Sequence, residues 1–335
     1  IRQRRLRGRV PSVVSAPLAS VVSDALIDQH GRRLRKLRVS LTEACNLRCV
    51  YCMPEHATFA GRDELLSPTE IVGIVSDLAN IGIEAVRITG GEPTLRAEFA
   101  EIARRICEIP GLRVGLTTNG SHLARHARSL AEWGLHGVNV SLDSLDPDNF
   151  RRMARAGDLA SVLSGIRAAR DAGLLVKINT VVMRGWNDHE LEAFHDFAIV
   201  EGVEVRFLEL MRIGEALPFF DQRFVAASEM LARLERHSPL SPVQVEDDAT
   251  AFKRFSQAGA SLGFIASESV PFCGGCSRLR LSAKGTLRAC LFKEDGVSLR
   301  GLDRQELPDI LRQVASLKPI GRIASISQAM HTIGG

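Results

Sequence analysis

From residue 37 onward, short β-branched apolar runs alternate with longer stretches whose apolar positions recur at helical spacing. The strand-like runs are residues 37–41, 85–89, 113–118, 137–142, 174–182 and 203–210. The amphipathic stretches between them are 68–81, 97–109, 121–133, 159–172 and 188–200. Pro68 and Asp188 stand where a helix start tolerates or favours them. Gly82, Gly134, Gly173 and Gly202 each follow a helical stretch, as C-terminal caps do.

Strand–helix alternation of this kind predicts an α/β fold with a parallel sheet. About six units are too few for the usual eight-unit barrel, so the pattern predicts a partial (βα)6 barrel of TIM type. In such barrels the chemistry sits at the C-terminal ends of the strands. Here those ends read Ser40-Leu41-Thr42, Thr89-Gly90-Gly91-Glu92-Pro93, Thr117-Thr118-Asn119-Gly120, Ser141-Leu142-Asp143 and Leu208-Glu209-Leu210-Met211. Polar residues and glycines collect at one mouth while the strand bodies stay apolar.

After Met211 the pattern changes. Residues 259–267 and 278–291 read as antiparallel strands, the latter folding back at Ala283-Lys284-Gly285. The expected organisation is a basic N-terminal segment (1–33), the partial barrel (34–212) and a smaller C-terminal domain (213–335). That last domain starts a helical stretch near Asp303 and ends in Gly334-Gly335.

Composition narrows the partners. The chain has 335 residues, 45% hydrophobic and 24% charged, which supplies an ordinary globular core. At 5% aromatic content it is poorly equipped to stack on exposed bases. A net charge of +4 suits a small anionic ligand at least as well as nucleic acid. Arg2, Arg4, Arg5, Arg7 and Arg9 precede the first acid, Asp24; such a start reads either as an organelle-targeting segment or as a flexible basic tail. No apolar run reaches the roughly 18 residues that cross a bilayer. A soluble, cytoplasmic protein with no membrane and no nucleic-acid partner is expected.

Seven cysteines fall as two groups of three and a single one, which does not fit a disulfide framework. Cys45, Cys49 and Cys52 follow the first predicted strand at C-x3-C-x2-C spacing. Three thiolates on one short loop hold three corners of a cubane cluster and leave one iron without a protein ligand. Structural zinc is the competing reading, but it wants four ligands, and only His56 is near enough to stand in. Cys273-Gly274-Gly275-Cys276 precedes the predicted hairpin and Cys290 lies near its end, roughly opposite Cys276. This second trio again lacks an obvious fourth ligand.

Arg278 and Arg280 alternate on their strand, so both guanidinium groups share a side and form a fork for phosphate oxygens; a solvated strand face is the plainer reading. Arg38, Arg87, Lys177 and Arg206 are further strand cations among apolar neighbours. Burying several cations demands anionic partners. Glu92, Glu204 and Glu209 are available for some of them, and a polyphosphate would satisfy the rest.

A C-x3-C-x2-C motif with an aromatic before its last cysteine, on the first βα loop of a partial barrel, resembles the radical S-adenosylmethionine superfamily. Gly90-Gly91-Glu92-Pro93 resembles that superfamily's glycine-rich contact with the amino group of S-adenosylmethionine. The resemblance implies that Gly91, Ser141 and Met211 contact S-adenosylmethionine and that Tyr51 lends its backbone. Over residues 31–335, the two cysteine trios, the arginine pair and the Gly-Gly end closely resemble the GTP 3',8-cyclase family of molybdenum cofactor synthesis, which are lyases. Supporting runs include Arg87-Ile88-Thr89-Gly90-Gly91-Glu92-Pro93, Gly115-Leu116-Thr117-Thr118-Asn119-Gly120 and Asn139-Val140-Ser141-Leu142-Asp143.

This closer resemblance implies two 4Fe-4S clusters, on Cys45, Cys49 and Cys52 and on Cys273, Cys276 and Cys290. It implies GTP contacts from Arg38, Arg87, Thr117, Lys177, Arg278, Leu279 and Arg280, with guanine on the open iron of the second cluster. A 5'-deoxyadenosyl radical would remove hydrogen from ribose C3', and the carbon radical would add to C8 to give (8S)-3',8-cyclo-7,8-dihydroguanosine 5'-triphosphate. Arg278, Arg280, Gly334 and Gly335 would be the catalytic set, the glycines reaching into the site because they carry no side chain to obstruct it. An electron donor protein, a downstream pterin synthase and a homodimer are the protein partners the resemblance allows.

The chain departs from that family at Glu43-Ala44, which replace an acid and a basic residue, at Ala85, where many relatives carry lysine, and in 318–328, which lacks the usual basic and glycine run. Three other readings compete: a radical enzyme acting on a peptide with an auxiliary cluster, a zinc-stabilised nucleic-acid binder, and an iron–sulfur scaffold. Cys107 reads as a buried helix thiol. His122, His126, His189, His195 and His237 show no metal spacing, and His331, beside the tail, is placed to approach the site.

Overall fold

The computed structural model describes residues 26–245 and 249–333. Six strands, β1 (Lys36–Ser40), β2 (Ala85–Thr89), β3 (Arg113–Thr118), β4 (Gly137–Ser141), β5 (Leu175–Val182) and β6 (Glu204–Glu209), lie side by side in chain order, all parallel. The helices between them are α1 (Pro68–Ile81), α2 (Phe99–Cys107), α3 (Leu123–Glu132), α4 (Pro147–Ala154), α5 (Leu159–Asp171) and α6 (Leu191–Glu201). The expected partial barrel is present. The short helix α4 is an addition: its eight residues bury little beyond Phe150 and Met153, too few to set up a period.

Local chemistry explains the helix starts. In α1, Ser67 accepts from the Glu70 amide while the Glu70 carboxylate accepts from the Ser67 amide, with Pro68 in the first turn. Asp146 and Asp158 cap α4 and α5 through their side chains. On β5, Val176, Ile178, Thr180 and Val182 are buried under the helices, so Lys177, Asn179 and Val181 turn to the barrel interior.

The rest of the chain forms α7 (Phe220–Arg223), α8 (Ala227–His237), β7 (Leu240–Val243), β8 (Phe252–Ser256), β9 (Ser261–Ile265), β10 (Arg278–Leu281), β11 (Thr286–Arg288), β12 (Val297–Ser298) and α9 (Leu307–Ser316). The two late strand pairs are antiparallel, as the sequence suggests, but each also joins the barrel. Strand β9 pairs antiparallel with β8 and parallel with β6; β10 pairs antiparallel with β11 and parallel with β1. One sheet of twelve strands therefore runs through both parts of the chain, in the order β12-β11-β10-β1-β2-β3-β4-β5-β6-β9-β8-β7. Residues 266–277 connect β9 at one edge of the parallel array to β10 at the other, and Cys273 and Cys276 lie on this connection. No helix among the described residues is long and apolar enough to cross a membrane.

Candidate active site

The C-terminal strand ends open into a cavity of about 320 Å³. Cys45, Cys49, Cys52, Tyr51, Gly91, Ser141 and Met211 line it, together with Arg38, Thr117, Arg278, Arg280, Cys273, Cys276 and Cys290. Both cysteine trios thus border one space. Gly334 and Gly335 lie outside the described residues.

The first cysteine loop is clamped from two sides. The Gly91 and Glu92 amides donate to the Thr42 and Ala44 carbonyls at 2.7 Å each, while Arg48 and Val50 donate to the carbonyls of Ala154 and Met153 at the end of α4. Ala44 takes part only through its backbone, so a small residue serves there. A Cβ on Gly91 would stand 2.3 Å from the Ala44 oxygen, which makes glycine obligatory at this approach.

Burial pushes all three thiols up, Cys52 to about 12. Thiolates here need a cation to form, and a coordinating metal deprotonates thiols outright. Tyr51 donates its phenol to Asp143 at 2.7 Å, and burial lifts that carboxyl to about 6 although it also accepts from the Val181 amide.

The second trio differs. Burial opposes ionisation of Cys276, yet Arg278 and Lys318 outweigh it and bring the thiol down to about 6. Arg278 donates to the Cys276 sulfur at 3.7 Å and to Thr250 Oγ1 at 2.8 Å. The β10–β11 register pairs Arg280 with Arg288, so Cys290 falls opposite Arg278 rather than Cys276, two residues from the expected position. Burial and the neighbouring thiols of Cys276 and Cys290 raise Cys273.

Both trios fit a cluster better than a zinc ion. A single zinc would gather its sulfurs to about 3.8 Å from one another. Among the described residues, the one His/Cys/Asp/Glu trio with ligand atoms all within 4.8 Å is His195, Asp196 and His237. A cubane puts each thiolate on a separate iron, with wider spacing.

That histidine pair was not anticipated, because His195 is on α6 and His237 on α8. Asp196 receives His195 Nδ1 at 2.8 Å and His237 Nε2 at 3.3 Å. His195 Nε2 is buried without a partner, so the ring proton belongs on Nδ1, facing Asp196, and the trio reads as a tie between helices. Cys107 is a half-buried thiol, pushed up to about 11 by burial and Glu108.

Three expected substrate residues do not line the cavity. Leu279 is 1% exposed and belongs to the aliphatic core, on the opposite face from Arg278 and Arg280; only its backbone is left to face a ligand. Arg87 donates to the Leu116 carbonyl at 3.0 Å and lies over Gly115, and burial followed by Arg206 brings it down to about 10. Lys177 stands 3.6 Å from Glu204, which also holds Lys253 at 2.6 Å and pairs with Arg206. Glu204 therefore neutralises strand cations, as anticipated. Glu92 and Glu209 do not: both accept amide and hydroxyl donors instead, Glu92 from Thr94, Thr118 and Asn119, and Glu209 from Ala227, Glu268 and Ser269.

Other cavity residues lie outside the expected ligand contacts. Arg206, Asn139 and Asn179 occupy interior-facing strand positions that alternation alone identifies. His331 lines the cavity, as its place beside the tail suggested, while Arg322 arrives from the chain end with no local pattern to announce it. Thr117 Oγ1, Asn179 Oδ1, Ser267 Oγ, Arg322 Nε and His331 Nδ1 are buried without partners, so the cavity holds unused hydrogen-bonding capacity.

Comparison with known proteins agrees with this geometry. Residues 39–198 match the Radical SAM superfamily, and 203–321 match Molybdenum Cofactor Synthesis C. The GTP 3',8-cyclase of Synechocystis sp. is 46% identical over 318 residues, covering 95% of this chain and 97% of the relative. That of Petrotoga mobilis is 40% identical over 304 residues, covering 88% and 94%. Streptococcus suis SuiB bound to S-adenosylmethionine superposes with a TM-score of 0.64 over 86% of this chain and 69% of that one; at 15% identity the likeness is one of fold.

Proposed function

The chain belongs to the GTP 3',8-cyclase family of the radical S-adenosylmethionine superfamily, and from that premise we propose how its own residues divide the work of joining ribose C3' of GTP to guanine C8. Cys45, Cys49 and Cys52 hold the 4Fe-4S cluster that the superfamily requires, and Cys273, Cys276 and Cys290 hold a second one. With S-adenosylmethionine bound, the first cluster supplies the one-electron cleavage that generates the hydrogen-abstracting radical.

The remaining tasks fall to side chains and backbone. Gly91, Ser141 and Met211 seat S-adenosylmethionine, with Tyr51 contributing its backbone; the Tyr51–Asp143 bond keeps that loop against the end of β4. Arg38, Arg278 and Arg280 neutralise the triphosphate, Thr117 offers its unused hydroxyl, and Arg87 and Lys177 extend the positive field deeper into the barrel. The Leu279 backbone, between the two arginines, completes the GTP contacts. Arg278 is oriented for this by Thr250. Gly334 and Gly335, outside the described residues, complete the catalytic set with Arg278 and Arg280.

Labour divides between 34–212, which serves the first cluster and S-adenosylmethionine, and 213–335, which serves the second cluster and adds strands at both sheet edges. Residues 1–33 form the basic N-terminal segment, of which Arg32 ties down the second cysteine loop at the Cys273 carbonyl. A reducing protein supplies the electron, and an enzyme that accepts the cyclised nucleotide follows.

One observation carries this reading: two cysteine trios and five arginines, Arg38, Arg206, Arg278, Arg280 and Arg322, border one cavity. A peptide substrate would have no need of that cationic fork. The test is anaerobic reconstitution followed by incubation with dithionite, S-adenosylmethionine and GTP. The expected load is about eight irons and eight sulfides per chain, and about four of each when either trio is replaced by alanine. Loss of the first trio abolishes 5'-deoxyadenosine formation; loss of the second spares S-adenosylmethionine cleavage but abolishes the cyclised nucleotide. Two zinc ions and no sulfide would refute the assignment.

A further inference from the structure

Lys318 follows α9 and is 2% exposed. An ammonium carries three donors. Two go to backbone carbonyls, Arg278 at 2.7 Å and Ala289 at 2.9 Å, which places the ammonium between the chain segments that carry Cys276 and Cys290. Burial works against its charge; the thiols of Cys276 and Cys290 favour it, and Arg32 opposes it. Among the described residues no carboxylate pairs with Lys318.

The contrast with Arg32 is informative. Arg32 braces the same region by donating to the carbonyls of Cys273 at 2.6 Å and Pro319 at 2.8 Å, but Asp28, 2.6 Å away, balances its charge. Lys318 has no such balance. A buried, uncompensated ammonium is costly, so the counter-charge must come from sulfur. Arg278 reaches the Cys276 sulfur, but it borders the cavity, where an anionic ligand competes for it; Lys318 does not border the cavity.

Taking the second trio as a cluster site, as proposed above, we infer that Lys318 is the resident counter-charge of that cluster, a positioning residue that raises its reduction potential through the Cys276 sulfur. Reduction adds negative charge to the cluster. A fixed ammonium beside the cluster's thiolates stabilises the reduced state, and the potential rises.

The test uses the full chain with Cys45, Cys49 and Cys52 all replaced by alanine, loaded anaerobically so that only the second cluster forms. Iron content and a redox titration followed by electron paramagnetic resonance are the readouts. In this background Lys318→Met keeps its iron and shifts the midpoint potential to a more negative value, while Lys318→Arg returns it toward the parent. A Lys318→Met protein with full iron and an unshifted potential overturns the inference. If Lys318→Met loses its iron, retention by Lys318→Arg supports the charge role, and loss by both overturns it, leaving a backbone tie. If the parent itself binds no cluster, the proposed function fails instead.

Discussion

Arg38 and Arg280 are register partners on neighbouring parallel strands, and Arg38 is in turn the partner of Arg87 on its other side. Three arginines therefore stand in one row across β10, β1 and β2, on the face that looks into the barrel. Burial, then Arg280, Arg278 and Arg87, hold the Arg38 guanidinium well below its usual pKa. A protein that keeps such a row does so for an anion.

Replacing Arg38 separates ligand binding from folding. Arg38→Met relieves like-charge repulsion, so the ligand-free protein melts at the same or a higher temperature. It also loses charge-assisted bonds of about 1.5–3 kcal/mol, which weakens GTP binding by roughly tenfold to a hundredfold. Anaerobic calorimetry decides; an unchanged Kd would remove Arg38 from the phosphate site.

Gly91→Ala attacks the first cysteine loop through its backbone. The new Cβ would meet the Ala44 and Glu43 carbonyl oxygens at 2.3 and 2.5 Å, and neither can swing aside as a side chain would. The variant is expected to fold and retain about four irons, those of the second trio, with no 5'-deoxyadenosine formed. Full iron content with normal cleavage would show that the loop tolerates the contact.

Tyr51→Phe deprives the buried Asp143 carboxyl of its phenol donor and costs about 1–3 kcal/mol in the cluster-free protein. Asp143 is raised by burial to about 6 from 3.8, so the fold favours its protonated form. Its contribution is fully present below pH 3.8 and is lost as the pH rises through about 6. Without Tyr51 the carboxyl rises further and the loss extends to higher pH, which urea unfolding of the cluster-free protein across that range would reveal. Parallel curves for the two proteins would contradict this.

Asp28 behaves in the opposite sense. Although burial opposes it, hydrogen bonds from Arg32 and His30 hold its pKa below 3.8, so its stabilisation is present above that value and disappears as the pH falls through the lower one. Asp28→Asn leaves Arg32 buried without its charge partner and lowers stability at neutral pH by about 3–5 kcal/mol. The variant should also lack that acid-induced decline. Equal stability of the two proteins at pH 7 would mean that solvent, not Asp28, satisfies Arg32.

The sequence by itself determined what short-range periodicity encodes. Residues 68–81, 85–89 and 113–118 fold as read, since each pattern is set by neighbours within one helix or strand. The cysteine spacings were equally legible, because a loop that offers three thiolates needs no distant partner to be recognised. Tertiary structure decided the rest. The late strands read as a separate antiparallel unit, yet β9 and β10 extend the barrel in parallel at its two edges, a pairing between residues far apart in the chain. The strand register turns Leu279 into the core and puts Cys290 opposite Arg278. Glu204 took up strand cations, while Glu92 and Glu209 went to amide and hydroxyl donors. His331 lines the cavity as its place beside the tail suggested, but Arg322 and Lys318 reach the cavity and the second cysteine group only because the chain end folds back there. Such contacts depend on which surfaces meet in space, and no local pattern of residues records that.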